Sequence, residues 1–327
     1  MGGERLHQRD PHHILRRGNY VTITIVGGLG RLEAVMTIAA KAQRELPRKI
    51  IVPTDFSPGS TSAMACALAL AGTDKKKVTA VHAVDPFEYN FGPRDLRYLK
   101  KKEVWARAQE AMSDWLKANK FTGCAVSVIE GEAGPAIARF IDQKNIDLTV
   151  LGTSARRHAA RLLLGSVAEE IFRKADCLVL VLGPKMRARR RQQLERLAFA
   201  TALEPHSLAA LPRLSQLARK FDAKISVVRA VPDIRSRTER IRIAGETRLK
   251  IEAAVDPDLR KRIRNIHVEF GHPLKIITGF AKRSRADAIV MGIRSGGEWD
   301  RATTHIPWAF AHRVIANARC PVLTIRG

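Results

Sequence analysis

The chain has 327 residues, 45% apolar and 27% charged, with 22 Gly and 15 Pro. That length suits two domains of ordinary size, and the composition excludes a disordered polyelectrolyte, a collagen-like chain and a low-complexity chain. Lys and Arg total 57 against 32 Asp and Glu, a net charge of +25 that makes anionic partners the expected class. The longest apolar stretch, residues 21–40, contains Arg31 and Glu33, so no membrane span is expected. The polar, Arg-containing first twenty residues do not read as a secretory signal, and the cytoplasm is the expected compartment. Cys66, Cys124, Cys177 and Cys320 lie far apart without a C-x-x-C pair, which reads as core thiols with no disulfide framework and no metal site.

Residues 1–47 form an extension, expected to be poorly ordered. Within it, YVTITIVGGLGRLEAVMTIAAKAQRELPRKIIVPTD has a competing reading as strand, glycine turn, helix and strand, similar to a dinucleotide fingerprint. Glu33 replaces the third glycine of Gly28-x-Gly30-x-x-Gly and weakens that reading. A translation start at Met36 is a further reading of the same stretch.

From residue 48, short β-branched runs alternate with segments of helical period, the pattern of a parallel sheet covered by helices. Strands are expected at residues 50–54, 78–84, 124–130, 148–152 and 178–182. Ser57-Pro58 supplies an N-cap and a first-turn proline for the helix after the first strand. Trp105, Ala108, Met112 and Trp115 place one apolar face on a helix over residues 94–117 and are read as core packing.

The pattern then repeats. Residues 131–152 (GEAGPAIARFIDQKNIDLTVLG) match residues 271–292 (GHPLKIITGFAKRSRADAIVMG) at an offset of 140, each with Gly at both ends and Asp five residues before the second Gly. DFSPGS from Asp55 matches ALEPHS from Ala202, and VHAVDP matches VRAVPD, both at an offset of 147. CLVLV from Cys177 matches CPVLT from Cys320. The fold class is therefore α/β, with one domain over residues 48–184, a basic linker over 185–195 and a second domain over 196–327. A second basic stretch, residues 235–264, occupies the place of the second domain's long helix.

The chemistry concentrates after the fourth strand of the first half, in GTSARRHAARLLLGSVAEEI from Gly152. Gly152 lets backbone approach a ligand, Gly165-Ser166 opens a helix whose free N–H groups favour phosphate, and Arg156, Arg157 and Arg161 lie between them. Asp55, at another strand's carboxyl end, can accept from a ribose hydroxyl or an adenine amino group. Taken singly, Asp55 reads as a helix cap and Gly165 as a turn; their combination and spacing favour a nucleotide.

These residues resemble the universal stress protein family, whose phosphate pattern is G-x2-G-x9-G-[ST]. Gly152, Ala155, Gly165 and Ser166 occupy its positions, and KIIVPTDFS, VHAVDP and LLLGSVAEEI…CLVLVL are similar to the family as well. The resemblance covers residues 48–184 strongly and 196–327 more weakly, so the chain is identified as a tandem member. It implies a sheet of order 3-2-1-4-5 in each half and ATP as cofactor, with any Mg²⁺ carried by its phosphates. The ATP would be held by Thr54 and Asp55, the backbone at Ala83, Gly152, Ala155, Arg156, Gly165, Ser166 and Val167. It also implies pairing of the last strands of two such domains, here within one chain as a pseudo-dimer, and homodimers. Ala155 departs from the family glycine, and its Cβ would cost about 1 kcal/mol or more where φ > 0 is required. In the second half Ala202 replaces Asp55 and Trp308-Ala309 replace Gly165-Ser166, so the nucleotide site there reads as lost. A regulatory binding module is the favoured function over an ATPase or ligase, because no catalytic group beside the loop is bound to a motif. Nucleotide-independent, nonspecific nucleic-acid binding by the basic surface is the alternative.

Overall fold

The computed structural model describes residues 12–17, 20–25, 36–39, 47–90, 93–153, 166–186, 194–293 and 309–326. Residues 1–45 and 46–327 are separate compact units.

In the first unit the described residues form three strands, β1 (His12–Arg17), β2 (Tyr20–Ile25) and β3 (Met36–Ala39), paired antiparallel in the order β1-β2-β3. The β-branched run in YVTITI supplies the strand preference of β2. The dinucleotide-type reading requires helix where β3 is instead paired to β2, through Tyr20 opposite Ala39 and Ile23 opposite Met36.

The second unit opens with β4 (Ile50–Pro53), α1 (Pro58–Ala71), β5 (Val78–Val84), α2 (Arg94–Ala118), β6 (Ala125–Glu130), α3 (Ala133–Lys144), β7 (Leu148–Gly152), α4 (Ser166–Lys174) and β8 (Leu178–Leu182). The second half follows with β9 (Arg196–Ala200), α5 (Pro205–Leu208), α6 (Leu211–Lys220), β10 (Lys224–Val231), α7 (Arg237–Ala254) and α8 (Pro257–Arg262). It ends with β11 (Ile263–Phe270), α9 (Pro273–Arg283), β12 (Ala288–Ile293), α10 (Ala309–Asn317) and β13 (Val322–Arg326). Where the first half has one helix, α1, the second has α5 and α6. Pro212 sits in the first turn of α6, where its missing N–H costs nothing but would break a continuous helix.

The strand order is β11-β10-β9-β12-β13-β8-β7-β4-β5-β6. Each half is ordered 3-2-1-4-5, as expected, but the two sheets are not separate. β8 and β13 pair antiparallel, Leu180 opposite Leu323, and fuse them into one ten-stranded sheet. The reason lies in the sequence of β8: Leu-Val-Leu-Val-Leu is wholly buried and would otherwise be an apolar, unpaired edge. Alternate residues of the strands feed one core on each sheet face. Ile50, Val52, Leu180, Phe199 and Leu323 share the first, and Ile51, Val81, Val181, Ala198 and Val322 share the second. Both cores run through the junction, so the halves stabilise each other. Asn317 and Lys185 (2.7 Å), Arg213 and Asp176 (3.0 Å), and the Arg326 guanidinium on the Phe172 carbonyl add polar links across it.

One device appears twice. Asp147 Oδ2 accepts the backbone N–H groups of Arg48 (2.8 Å) and Lys49 (3.0 Å), and Asp287 Oδ2 accepts that of Arg196 (2.9 Å). The repeated Asp thus ties the fourth strand's start to the first strand's start, which is why it recurs at a fixed distance before the glycine.

Three of the four cysteines are core residues, as expected, and Cys124 lies at the core's margin. Burial pushes the Cys66 thiol up to about 12 and the Cys177 thiol up to about 11, and Cys320 is also buried. Cys124 is half-buried, its pKa raised by burial against a smaller lowering from its own backbone and Lys75. A disulfide reagent at neutral pH is expected to modify Cys124 alone and slowly in native protein. More than one equivalent released before unfolding contradicts this packing.

Candidate functional site

In each half the chain runs outward from the first strand to one edge, then returns to the other side of it. The crevice beyond the carboxyl ends of β4 and β7 is the first half's switch point, where open α/β sheets bind ligands. Thr54 and Asp55 follow β4 directly, and Gly152 ends β7.

Thr54 is buried, and its hydroxyl is committed internally. Oγ1 donates to Ser60 Oγ (3.1 Å) and accepts the Phe56 N–H (3.0 Å), while the Thr54 N–H donates to the Val81 carbonyl (2.9 Å). This bracing turns the chain sharply, with Phe56 at φ +61°. Beneath it His82 Nδ1 lies 2.8 Å from the Thr54 carbonyl; a carbonyl only accepts, so Nδ1 carries the hydrogen. The His82 and Phe56 rings stack at 4.6 Å. Neither Phe56 nor His82 is a site residue in the sequence reading, although His82 lies within the VHAVDP run that the reading uses.

Asp55 is exposed at the tip of this turn, and its Oδ1 accepts the Ser57 N–H (3.1 Å). It is not the cap of α1, which is the first alternative for such a residue. Ser57 is the cap, its Oγ accepting from the Ser60 N–H (3.3 Å), with Pro58 in the first turn. Partial burial acts to raise the Asp55 pKa, but hydrogen bonds from Ser57 and Ser60 outweigh it and hold the carboxyl below its ordinary 3.8. A negative charge is therefore maintained at the switch point.

Ala83 lies one residue before the carboxyl end of β5, opposite Ile129. On its far side Tyr89 donates to one Glu130 oxygen and Lys101 Nζ (2.7 Å) to the other. Lys101 first, then Tyr89, hold Glu130 below its ordinary value, so that carboxylate is already neutralised.

Gly152 has a packing role in the fold. A Cβ there would lie 1.8 Å from the Gly59 carbonyl oxygen, so the missing side chain lets β7 pack on the first turn of α1. Ser166 opens α4 and Val167 is half-buried against the second core. Ala155, Arg156, Arg157, Arg161 and Gly165 lie outside the described residues, as do Trp308 and the glycines at 296 and 297.

The second half preserves the turn but has no carboxylate at the Asp55 position. Thr201 Oγ1 bonds Ser207 Oγ and accepts the Leu203 N–H (3.0 Å), Leu203 has φ +63°, and a Cβ on Gly292 would lie 2.7 Å from Ser207 Cα. Ala202 stands where Asp55 stands, and Arg229, where His82 stands, donates to Thr247 of α7 instead.

A family model described as the universal stress protein family matches residues 47–183 and again residues 194–326. The chain belongs to the universal stress protein family. A universal stress protein of Methanocaldococcus jannaschii is 33% identical over 140 residues, covering 42% of this chain and 82% of that protein. The crystal structure of a universal stress protein from Archaeoglobus fulgidus superposes with a TM-score of 0.61 at 18% identity, covering 86% of this chain and 99% of that one, a likeness of fold across both halves. Another universal stress protein, solved in complex with cAMP, is 20% identical over 41% of this chain and 98% of its own, with a TM-score of 0.30. Among the described residues no helix is long and apolar enough to cross a membrane, and no three His, Cys, Asp or Glu side chains are grouped to hold a metal ion.

Proposed function

We propose that this universal stress protein is a regulatory module in stress response that binds an adenine nucleotide, ATP in the first instance, in its first half only. The observation that carries the reading is the contrast between two equivalent turns. Both halves keep the Thr–Ser brace, the positive-φ residue and the close-packed glycine, yet at the residue that follows the brace threonine the first half has a carboxylate, Asp55, and the second has Ala202, its turn carboxylate Glu204 standing two residues further on beside His206.

A carboxylate has about four lone-pair sites, so Asp55 can serve Ser57 and still accept from a ribose hydroxyl or an adenine amino group. The N-terminus of α4, at Ser166 and Val167, supplies donors and a favourable dipole for phosphates. Thr54 contributes by fixing the turn, and Ala83 by offering main-chain groups on the β5 side. Arg156 and the Ala155–Gly165 stretch complete the phosphate contacts in this reading. Any Mg²⁺ would ride on the nucleotide's phosphates.

Asp55→Ala tests the reading. Removing a charged acceptor is worth about 1.5–3 kcal/mol, so ATP affinity measured by calorimetry is expected to fall roughly ten- to hundredfold. Because the Asp55 pKa lies below 3.8, affinity is expected to show no Asp55 titration step across the neutral and mildly acidic range. An unchanged affinity in Asp55→Ala contradicts the proposal. Salt-sensitive binding of mixed-sequence DNA with no response to ATP would favour the nucleic-acid alternative that the +25 charge suggests.

A further inference from the structure

At the opposite edge of the sheet, where β4 and β5 begin, a groove of about 490 Å³ is lined by five cations from three separate segments. Arg48 and Lys49 lead into β4, Lys76 and Lys77 lie in the 3₁₀ turn before β5, and Lys144 ends α3. The half-buried Phe140 and buried Ile146 form an apolar wall.

Two of the five are occupied. Lys77 pairs with Asp74 (3.1 Å), and Lys49 Nζ donates to the Lys144 carbonyl (2.7 Å), answering the negative C-terminal end of α3. The Asp147 carboxylate is used by the Arg48 and Lys49 N–H groups. Arg48, Lys76 and Lys144 have no carboxylate partner among the described residues, although their chains converge on one concavity.

The second half shows that the fold does not need them. At the matching positions stand Glu195, Ala223 and Ser284, while the Asp287 clasp on Arg196 and the positive-φ residue after α9, Arg285, are retained as the counterparts of Asp147 and Asn145. The same scaffold therefore folds without the three unpaired cations. Their presence in the first half is not a requirement of the turn, the strand or the helix end.

From this convergence we infer that the basal groove of the first half is a binding site for a small, multiply charged phosphoryl anion. Three unpaired cations supply charge-assisted donors, and the Phe140–Ile146 wall accepts an apolar portion of the ligand. The site is distinct from the switch point, which lies beyond the other ends of the same strands.

The experiment is lysine-acylation footprinting by mass spectrometry on the full, nucleic-acid-free chain, with inorganic pyrophosphate as probe and exposed Lys102 of α2 as internal control. Protection of Lys76 and Lys144 relative to Lys102 is the expected result. The double variant Lys76→Ala with Lys144→Ser, which copies the second half, is expected to lower pyrophosphate affinity about tenfold while leaving the melting temperature unchanged. Uniform protection of all lysines, no protection, or protection by duplex DNA but not by pyrophosphate would each overturn the proposal. Loss of ATP binding in Asp55→Ala leaves this readout untouched, so the two sites fail separately.

Discussion

Gly152→Ala is expected to destabilise the protein by about 3 kcal/mol, lowering the melting temperature by roughly 5 °C. The added Cβ would sit 1.8 Å from the Gly59 carbonyl oxygen, 2.2 Å from its carbon and 2.9 Å from its Cα. All three are backbone atoms in the first turn of α1, so no rotamer change relieves the clash. Either α1 or β7 must move, and both are anchored in the same core through Met64, Ala67 and Val150. The displacement would also disturb the Thr54–Ser60 brace that presents Asp55, so nucleotide affinity falls together with stability. Gly245→Ala is the control. A Cβ at Gly245, within α7, meets nothing within 4 Å, and its helix propensity is expected to stabilise the protein by about 0.5–1 kcal/mol. A Gly152→Ala protein as stable as wild type would show that β7 and α1 are not in contact.

The second large effect is expected at the junction between halves. Gly183, immediately after β8, faces the Ile315 carbonyl of α10, and a Cβ there would lie 2.2 Å from that oxygen. Gly183→Ala is expected to cost about 2–3 kcal/mol by forcing α10 away from β8. The effect should appear first as faster amide exchange in β8 and β13, since their pairing through Val179–Val181 and Val322–Thr324 fuses the two sheets. Exchange that rises only within one half, with β8 and β13 still protected, would mean that the halves are held by something other than this strand pair.

The strands were the most legible part of the fold. The predicted bounds 78–84, 148–152 and 178–182 coincide with β5, β7 and β8, which are rich in apolar and β-branched residues, and β8, buried at every position, is an uninterrupted apolar run. The internal repeat, with its fixed Asp-to-Gly distance, located the second half, and the structure supplies the reason in the Asp147 and Asp287 clasps. What escaped the sequence is geometry between distant segments. That Gly152 is small for the sake of Gly59 depends on a contact between residues 93 positions apart, and glycine after a strand looks the same whether a helix or a phosphate approaches it. The positive φ of Phe56 and Leu203 carries no residue signature, since neither is glycine or asparagine. The three unpaired cations of the basal groove are likewise scattered through a chain with 57 basic residues, where nothing local distinguishes them.

At the candidate site, Thr54, Asp55, Ala83 and Gly152 gather at the carboxyl ends of β4, β5 and β7. Thr54 and Gly152 shape the turn and its packing. Asp55 supplies the charge, and the capping role belongs to Ser57. The two halves thus share one turn architecture, and a single carboxylate separates them at this position.

The most direct measurement is a calorimetric titration of Mg²⁺-ATP into the full, nucleic-acid-free chain, read for stoichiometry and repeated with Asp55→Ala and Gly165→Trp. One site per chain, lost in both variants, is the predicted result. Two sites per chain would contradict confinement of the nucleotide to the first half, and the absence of heat at any ATP concentration would contradict nucleotide binding itself.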